Sequence, residues 1–444
     1  MANFRFNLNI APQNITLNNV NQKRKTIGNL LIYACFFMYM TSMSVKGIVA
    51  AETAYIKEMW SLSYTQTSLA NAFYFVIYGL VQIGMFIFMK KINMRKFLLF
   101  TIPISAVCAI LMGTSKNIVQ LWAYFGLTGA FQAGVFAGCN STLTACLPNE
   151  LLSKGNKFMN LGYAFGTVLA YAVCGLCVSN DLWRVPFYIF GILFIISFVI
   201  FMFISGFAWK VKRINEIFIG SNKPLVEEKV IEAEENPILS LDSKKKLVIF
   251  YAIDLTIIFI ITSLYYCIMN NVTLLLKNVH NLGNDVSIYV SILAPITIAI
   301  GPIMTISSCN KDRNFIRQAL KFMFIVLPIP LLLMFFYDLN VILALALTII
   351  FVVLTNGVKA IAISVITFNM RKQINAGAYC AISNAIASIA AGVMPVLIGK
   401  VIDIGGWEVS YLVTFIVALL LTTAIFVINL FVTKADKRRQ ELKK

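Results

Sequence analysis

Three ionisable side chains stand inside long apolar runs. Lys46 lies in "MTSMSVKGIVAAETAY", Asp254 in "FYAIDLTIIF" and Lys359 in "LTNGVKAIAI". A charge at the centre of a membrane-spanning helix costs roughly 2.5–3.5 kcal/mol on insertion scales, so such residues face a bundle interior or a wet cavity and are candidates for ligand contact. Two amines against one acid leave excess positive charge, which suits an organic anion. Lys46 could instead snorkel outward or pair with Glu52, but Glu52 is six residues further on and off its face. Residues three or four apart share a helical face. That spacing joins Tyr39, Ser42 and Thr53 to Lys46, and Thr355 and Asn356 to Lys359. It joins Tyr251 to Asp254, with Thr262 and Tyr265 further along.

Other apolar runs carry polar stripes: Asn71, Tyr74, Tyr78 and Gln82; Gln132 and Asn140; Asn160, Tyr163, Thr167 and Tyr171. Such stripes fit a wet cavity and also fit interhelical hydrogen bonds. The candidate substrate-binding set is Lys46, Lys359, Tyr39, Ser42, Gln132, Tyr163, Tyr265 and Asn356. Counted from their helix ends at 1.5 Å per residue, Asp254 and Lys359 differ in depth by roughly 7–8 Å. A salt bridge between them is within reach, either structural or one that opens and closes during transport or releases Lys359 to substrate, which makes the two a candidate coupling or gating pair.

The elements that position these residues are legible in composition. Apolar residues make up 59% of the 444-residue chain and charged residues only 13%, where soluble domains carry about 25% charged residues. Mean hydropathy is +0.82. The reading is an all-α polytopic membrane protein, with the lipid bilayer as its partner. The net charge of +18 does not imply nucleic acid, because the basic clusters fall on alternate connections between apolar runs. That asymmetry places both termini in the cytoplasm of a cell membrane. The N-terminus, "NITLNNVNQKRK", is polar, so the first helix is expected to be retained.

Apolar runs long enough to span occur at 28–51, 66–89, 97–114, 119–146, 157–179, 186–208, 247–273, 285–308, 319–337, 340–369, 377–403 and 408–432, a span needing about 20 residues. They define a cytoplasmic tail (1–26), a six-helix bundle (27–208), a polar cytoplasmic linker (209–246), a second bundle (247–433) and a C-terminal tail (434–444). The halves repeat. Trp183 and Trp407 open the sixth and twelfth runs 224 residues apart, and Gly155 and Gly377 precede the fifth and eleventh 222 apart. A constant offset argues for two bundles related by an axis along the membrane normal.

The nine cysteines are scattered, and "CGLC" (174–177) reads as small-residue packing rather than a redox motif. Gly134–Gly138 and Gly162–Gly166 are small-xxx-small pairs that let helices approach closely. His280 falls in an expected outer loop and reads as a surface residue. No metal-ligand cluster and no nucleophile–base set is present, so neither an enzyme nor a cofactor is expected.

The chain resembles the major facilitator superfamily of transporters over roughly 25–435. Within it, the chain is similar to the organophosphate:phosphate antiporter branch, through "YMTSMSVKGIVAA", "TGAFQAGVFAGCNSTL", "NAGAYCAISNAIASIAAG" and "IGKVIDIGGWEVSYLV". The resemblance implies the major facilitator fold: twelve transmembrane helices in two six-helix pseudo-repeats, with spans one, four, seven and ten lining a central cavity. Lys46, Asp254 and Lys359 all fall on those lining spans. That branch grips phosphate with an arginine in each of spans one and seven; here those places hold Val45 and Leu264. The superfamily loop after span two, Gly-x-x-x-Asp-Arg-x-Gly-Arg-Arg, reads "FIFMKKINMRK", with Lys90 at the acidic place, whereas the second half keeps Asp312-Arg313. The expected function is secondary transport of a small organic anion, a carboxylate before a phosphate ester, by antiport or proton symport, in a monomer. The competing reading is a proton-driven exporter of drugs or other amphiphiles.

Overall fold

The computed structural model describes residues 17–88, 94–221, 244–297, 300–309, 315–366 and 376–441. The linker expected at 209–246 lies mostly outside these residues, as do Lys90 and the Asp312-Arg313 pair. Among the described residues the chain is helical, with no strand. The first half comprises α1 (Leu17–Ala51), α2 (Thr53–Met59), α3 (Tyr64–Phe88), α4 (Met94–Met112), α5 (Ile118–Gln132), α6 (Val135–Cys146), α7 (Asn149–Val178) and α8 (Val185–Ser221). The second comprises α9 (Lys244–Met269), α10 (Val272–Asn278), α11 (Asn284–Ser291), α12 (Leu293–Thr297), α13 (Ile300–Cys309), α14 (Phe315–Val326), α15 (Pro328–Phe336), α16 (Val341–Ala360) and α17 (Ala376–Glu441). Each of the twelve expected runs is occupied by helix, and two further short helices, α2 and α10, lie in connections that hydropathy left unassigned. Asparagines start two of them: Asn117 accepts from the Gln120 N–H at 2.9 Å and Asn340 from the Ile342 N–H at 2.8 Å, each satisfying an orphan donor of the first turn.

Several expected spans are broken, each break having a local cause. The run 119–146 divides at Ala133–Gly134; the Ala133 carbonyl takes a hydrogen bond from the Gln82 amide, and Gly134 gives its side-chain space to Phe97. The run 319–337 divides before Pro328, which has no N–H to continue the ladder. Pro295 acts likewise in the run 285–308. Immediately after Lys359, α16 widens into a π-helical stretch over Ile361–Val365, the kind of local bulge that recurs at functional sites. α8 stays helical to Ser221, well past the bundle boundary read from hydropathy.

Spans eleven and twelve, together labelled α17, are two helices joined without a loop at a kink at Gly406, whose φ is 75°. Only glycine adopts that backbone readily.

Two apolar cores form. One is built largely from first-half residues such as Phe187, Phe190 and Phe194, the other largely from second-half residues such as Phe351 and Leu333. Within the first half α1 packs on α7, where Gly166 lies directly against the Met40 carbonyl. The halves meet through α3 on α17 and α7 on α11. At the α3–α17 seam a side-chain carbon on Gly399 would approach the Tyr64 carbonyl within 2.8 Å, and one on Gly79 the Ala385 carbonyl within 3.0 Å.

The face away from the chain termini is shut by contacts between halves. The Asp403 carboxylate accepts from the Tyr64 N–H (2.8 Å), the Thr65 N–H (2.9 Å) and the Thr65 hydroxyl (2.6 Å). Asn278 donates to the Tyr64 hydroxyl at 2.9 Å, and Asn284 to Glu58 at 2.8 Å. Lys277 pairs with Glu58 at 3.5 Å. Trp183 and Trp407, the repeat-related pair, sit on this same face, each edge-on to an aromatic ring of the first half: Trp60 at 5.7 Å and Tyr64 at 5.6 Å. His280, in the turn after α10, is half-buried rather than freely exposed.

Candidate functional site

The central site is a lysine held among aromatic rings. From α1, the Lys46 ammonium lies 4.5 Å from the Phe75 ring centre, 5.7 Å from Tyr163, 5.8 Å from Tyr266 and 6.0 Å from Tyr74. It also donates to the Tyr266 hydroxyl at 3.4 Å. Lys359, arriving from α16, lies 5.6 Å from the same Tyr266 ring centre and 5.7 Å from Tyr265. The two predicted lysines therefore converge on one tyrosine at the junction of the halves. Among the described residues neither ammonium forms an ion pair with a carboxylate. Aromatic faces attract a cation, each contact contributing about 0.5–2 kcal/mol, so the rings hold these charges without a counter-acid.

A small pocket opens beside Lys46, lined by Asn71, Phe75, Tyr163, Tyr265, Tyr266 and Asn270 among others. The hydroxyls of Tyr163, Tyr265 and Tyr266 gather there. Asn270 is buried with its amide Nδ2 lacking a partner among the described residues, so the pocket offers a donor besides the ammonium. A larger crevice between α9 and α17, lined by Leu255, Thr256, Phe259, Ile386 and Ile389, is apolar and holds no charged group.

The other predicted residues divide. Tyr163 and Tyr265 line the pocket, and Asn356 reaches the Tyr265 hydroxyl. Gln132 acts at one remove: it is buried and accepts from the Tyr74 hydroxyl at 2.7 Å, fixing one of the rings around Lys46. Tyr39 packs on Phe136 at 5.3 Å and lies near Tyr78 and Tyr163. Ser42 is fully buried, its hydroxyl without a partner among the described residues, and does not line the pocket.

Asp254 is not paired with Lys359, contrary to expectation. One carboxylate oxygen accepts a hydrogen bond from the Tyr379 hydroxyl of α17, and the other has no partner among the described residues. Tyr251 stacks by Tyr379 at 4.9 Å, so Asp254 belongs to a polar cluster inside the second bundle. Depth explains the difference. Lys359 reaches α9 at Tyr265, eleven residues beyond Asp254, which is roughly 16 Å along the helix.

The sequence reading missed Tyr266, Phe75, Asn270 and Tyr379. Tyr266 carried a signal, as the second half of a tandem in "SLYYCIMNN". Phe75 carried none, since a phenylalanine in an apolar helix is indistinguishable from packing.

A bundle of helices in two halves with a polar pocket at their junction can be compared with known families. The Major Facilitator Superfamily profile matches residues 30–379. The chain belongs to the Major Facilitator Superfamily. As a superfamily member it is a secondary transporter of the multi-pass membrane kind, not an enzyme. Its fold is similar to that of a bacterial homologue of the human lysosomal transporter Spinster in an inward-facing, unoccupied conformation (13% identity, TM-score 0.65, 90% of this chain and 96% of that one). It is also similar to the nucleoside transporter NupG (12%, 0.63, 89% and 98%) and to a POT family transporter in complex with 5-aminolevulinic acid (11%, 0.66, 90% and 96%). At such identities the likeness is one of fold. No curated protein matches the chain in sequence.

Proposed function

We propose that this superfamily member moves a small organic anion, a carboxylate in preference to a phosphate ester, by alternating access across the cell membrane. The observation that carries the reading is the convergence of Lys46 and Lys359 on Tyr266 with no carboxylate paired to either. A cavity with two unneutralised amines attracts anions, and the surrounding rings would pack against a carbon skeleton. The places where the organophosphate branch keeps its arginines are filled by Val45 and Leu264, both buried in apolar cores, which argues against a two-arginine phosphate grip. The alternating basic clusters support cytoplasmic termini.

The test is uptake of radiolabelled carboxylates and phosphate esters into proteoliposomes, with and without a pH gradient, by the wild type and by Lys46→Ala and Lys359→Ala. A hydrogen bond to a charged group contributes about 1.5–3 kcal/mol, so each substitution should weaken apparent affinity roughly ten- to a hundredfold. Unchanged uptake by both variants at equal expression would remove the lysines from the site. Dye efflux without uptake of either anion class would favour the amphiphile exporter.

A further inference from the structure

Glu52 takes no part in the contacts described so far. It links α1 to α2 within a continuous run of backbone bonds: its N–H reaches the Ile48 carbonyl at 2.9 Å, and its carbonyl accepts from the Ile56 N–H at 2.8 Å. The side chain is completely shut off from solvent; among the described residues no N–H or O–H donates to either carboxylate oxygen, and the one polar neighbour within reach is the weakly donating Cys174 thiol. The titratable groups facing it are the Cys174 and Cys177 thiols of α7 and Tyr55 of α2, with Glu58 and Asp181 beyond Tyr55. None of these is a cation, and no lysine or arginine among the described residues pairs with it. A buried carboxylate without a compensating charge costs several kcal/mol, even after the protein relaxes. A neutral carboxylic acid in the same place costs far less. The closed arrangement therefore fits the neutral acid and penalises the anion.

Position adds the second argument. α2 begins at the next residue and carries Glu58, which meets Lys277 and Asn284 of the other half. Glu52 thus lies immediately behind the contacts that shut this face. We propose that Glu52 is a proton-binding site whose exchange with water is controlled by that gate. With the gate shut, the carboxyl keeps its proton. When the halves part on this face, water reaches the group, and the acid ionises to a carboxylate by releasing a proton to the solution there, or the carboxylate takes one up. Because a bare carboxylate resists being sealed in, closure of this face is tied to protonation of Glu52. The site binds a proton whatever the cargo, so it stands apart from the anion reading.

The experiment is infrared difference spectroscopy of the full chain in lipid nanodiscs after a pH jump. A buried carboxylic acid with no hydrogen-bond partner stronger than a thiol absorbs toward the high-frequency end of the acid carbonyl range. The band should be lost in E52Q and displaced in E52D, while D254N assigns the second buried acid. The gate is then locked with a disulfide in the E58C/N284C double variant, its formation checked by mass. In reduced protein the Glu52 band should follow the pH jump. In oxidised protein it should not respond, and reduction should restore the response. A band indifferent to E52Q and E52D, a Glu52 band that follows pH equally in both redox states, or one that follows it in neither would overturn the proposal.

Discussion

At the scale of single residues, the pocket depends on side chains that hold other side chains. Tyr74 is the clearest case, its hydroxyl donating to Gln132 while its ring lies between Phe125 at 4.6 Å and Phe75 at 5.3 Å. Tyr74→Phe keeps the packing and removes the hydroxyl, leaving the buried Gln132 carbonyl oxygen without its donor. Leaving such a group unsatisfied costs about 1–3 kcal/mol. The expected outcome is a lower melting temperature in detergent together with weaker anion binding, as Tyr74 loses its register beside Lys46; an unchanged melting temperature would mean that water replaces the bond. The lysines were legible in the sequence because lipid does not tolerate a bare ammonium in an apolar run, which leaves the bundle interior as its place. The aromatic rings around them were legible only in part, because Tyr and Phe serve packing and cavity walls equally well. The separation of Asp254 from Lys359 was not legible, because depth counted along each helix from its own end does not fix how the two helices are offset from one another. Nor does the periodicity of a single helix show that Tyr379 takes the carboxylate.

At the scale of helices, close approach is set by glycine. Gly166 lies against the Met40 carbonyl, so α7 and α1 touch backbone to backbone close to Tyr163. Gly166→Leu should push α7 away from α1, moving Tyr163 off Lys46. Loss of uptake of about tenfold or more, with reduced thermal stability, is the expected result, read in the same proteoliposome assay alongside the milder Gly166→Ala. Hydropathy placed the helices well, since twelve apolar runs have no other stable arrangement in lipid. It missed the breaks at Ala133–Gly134 and Ile292 and the π stretch after Lys359. Breaks of that kind are decided by which side chain takes the freed carbonyl, and the Gln82 bond to Ala133 joins residues 51 apart.

At the scale of the whole molecule, the contacts across the closed face set the balance between conformations. Here a pH effect has a definite sign. The Asn284 amide, aided by the Lys277 ammonium, holds the Glu58 carboxyl below its usual range in the closed state. On opening, those partners are lost and the group returns toward an ordinary value of about 4.3. A depressed carboxyl contributes to the closed state fully above its open-state value and loses that contribution as pH falls through its closed-state value. In an E52Q background, where the opposing effect of Glu52 is removed, acid on this face should therefore favour opening, by the modest amount expected of an exposed pair, about 0.2–1 kcal/mol. Distances between fluorescent labels on α2 and α10 should report it, and Glu58→Gln should abolish the response. A response that survives the substitution would assign the titration elsewhere.

The single residue with left-handed backbone in α17 has a mechanical meaning. Two spans joined by a loop can shift independently, because the loop absorbs the difference. Spans eleven and twelve are two helices that meet at a single kinked residue, Gly406, with no loop between them, and Asp403, the carboxylate that fastens the other half, lies three residues before that joint. Releasing the latch therefore frees the corner that both spans share, rather than the end of one span alone.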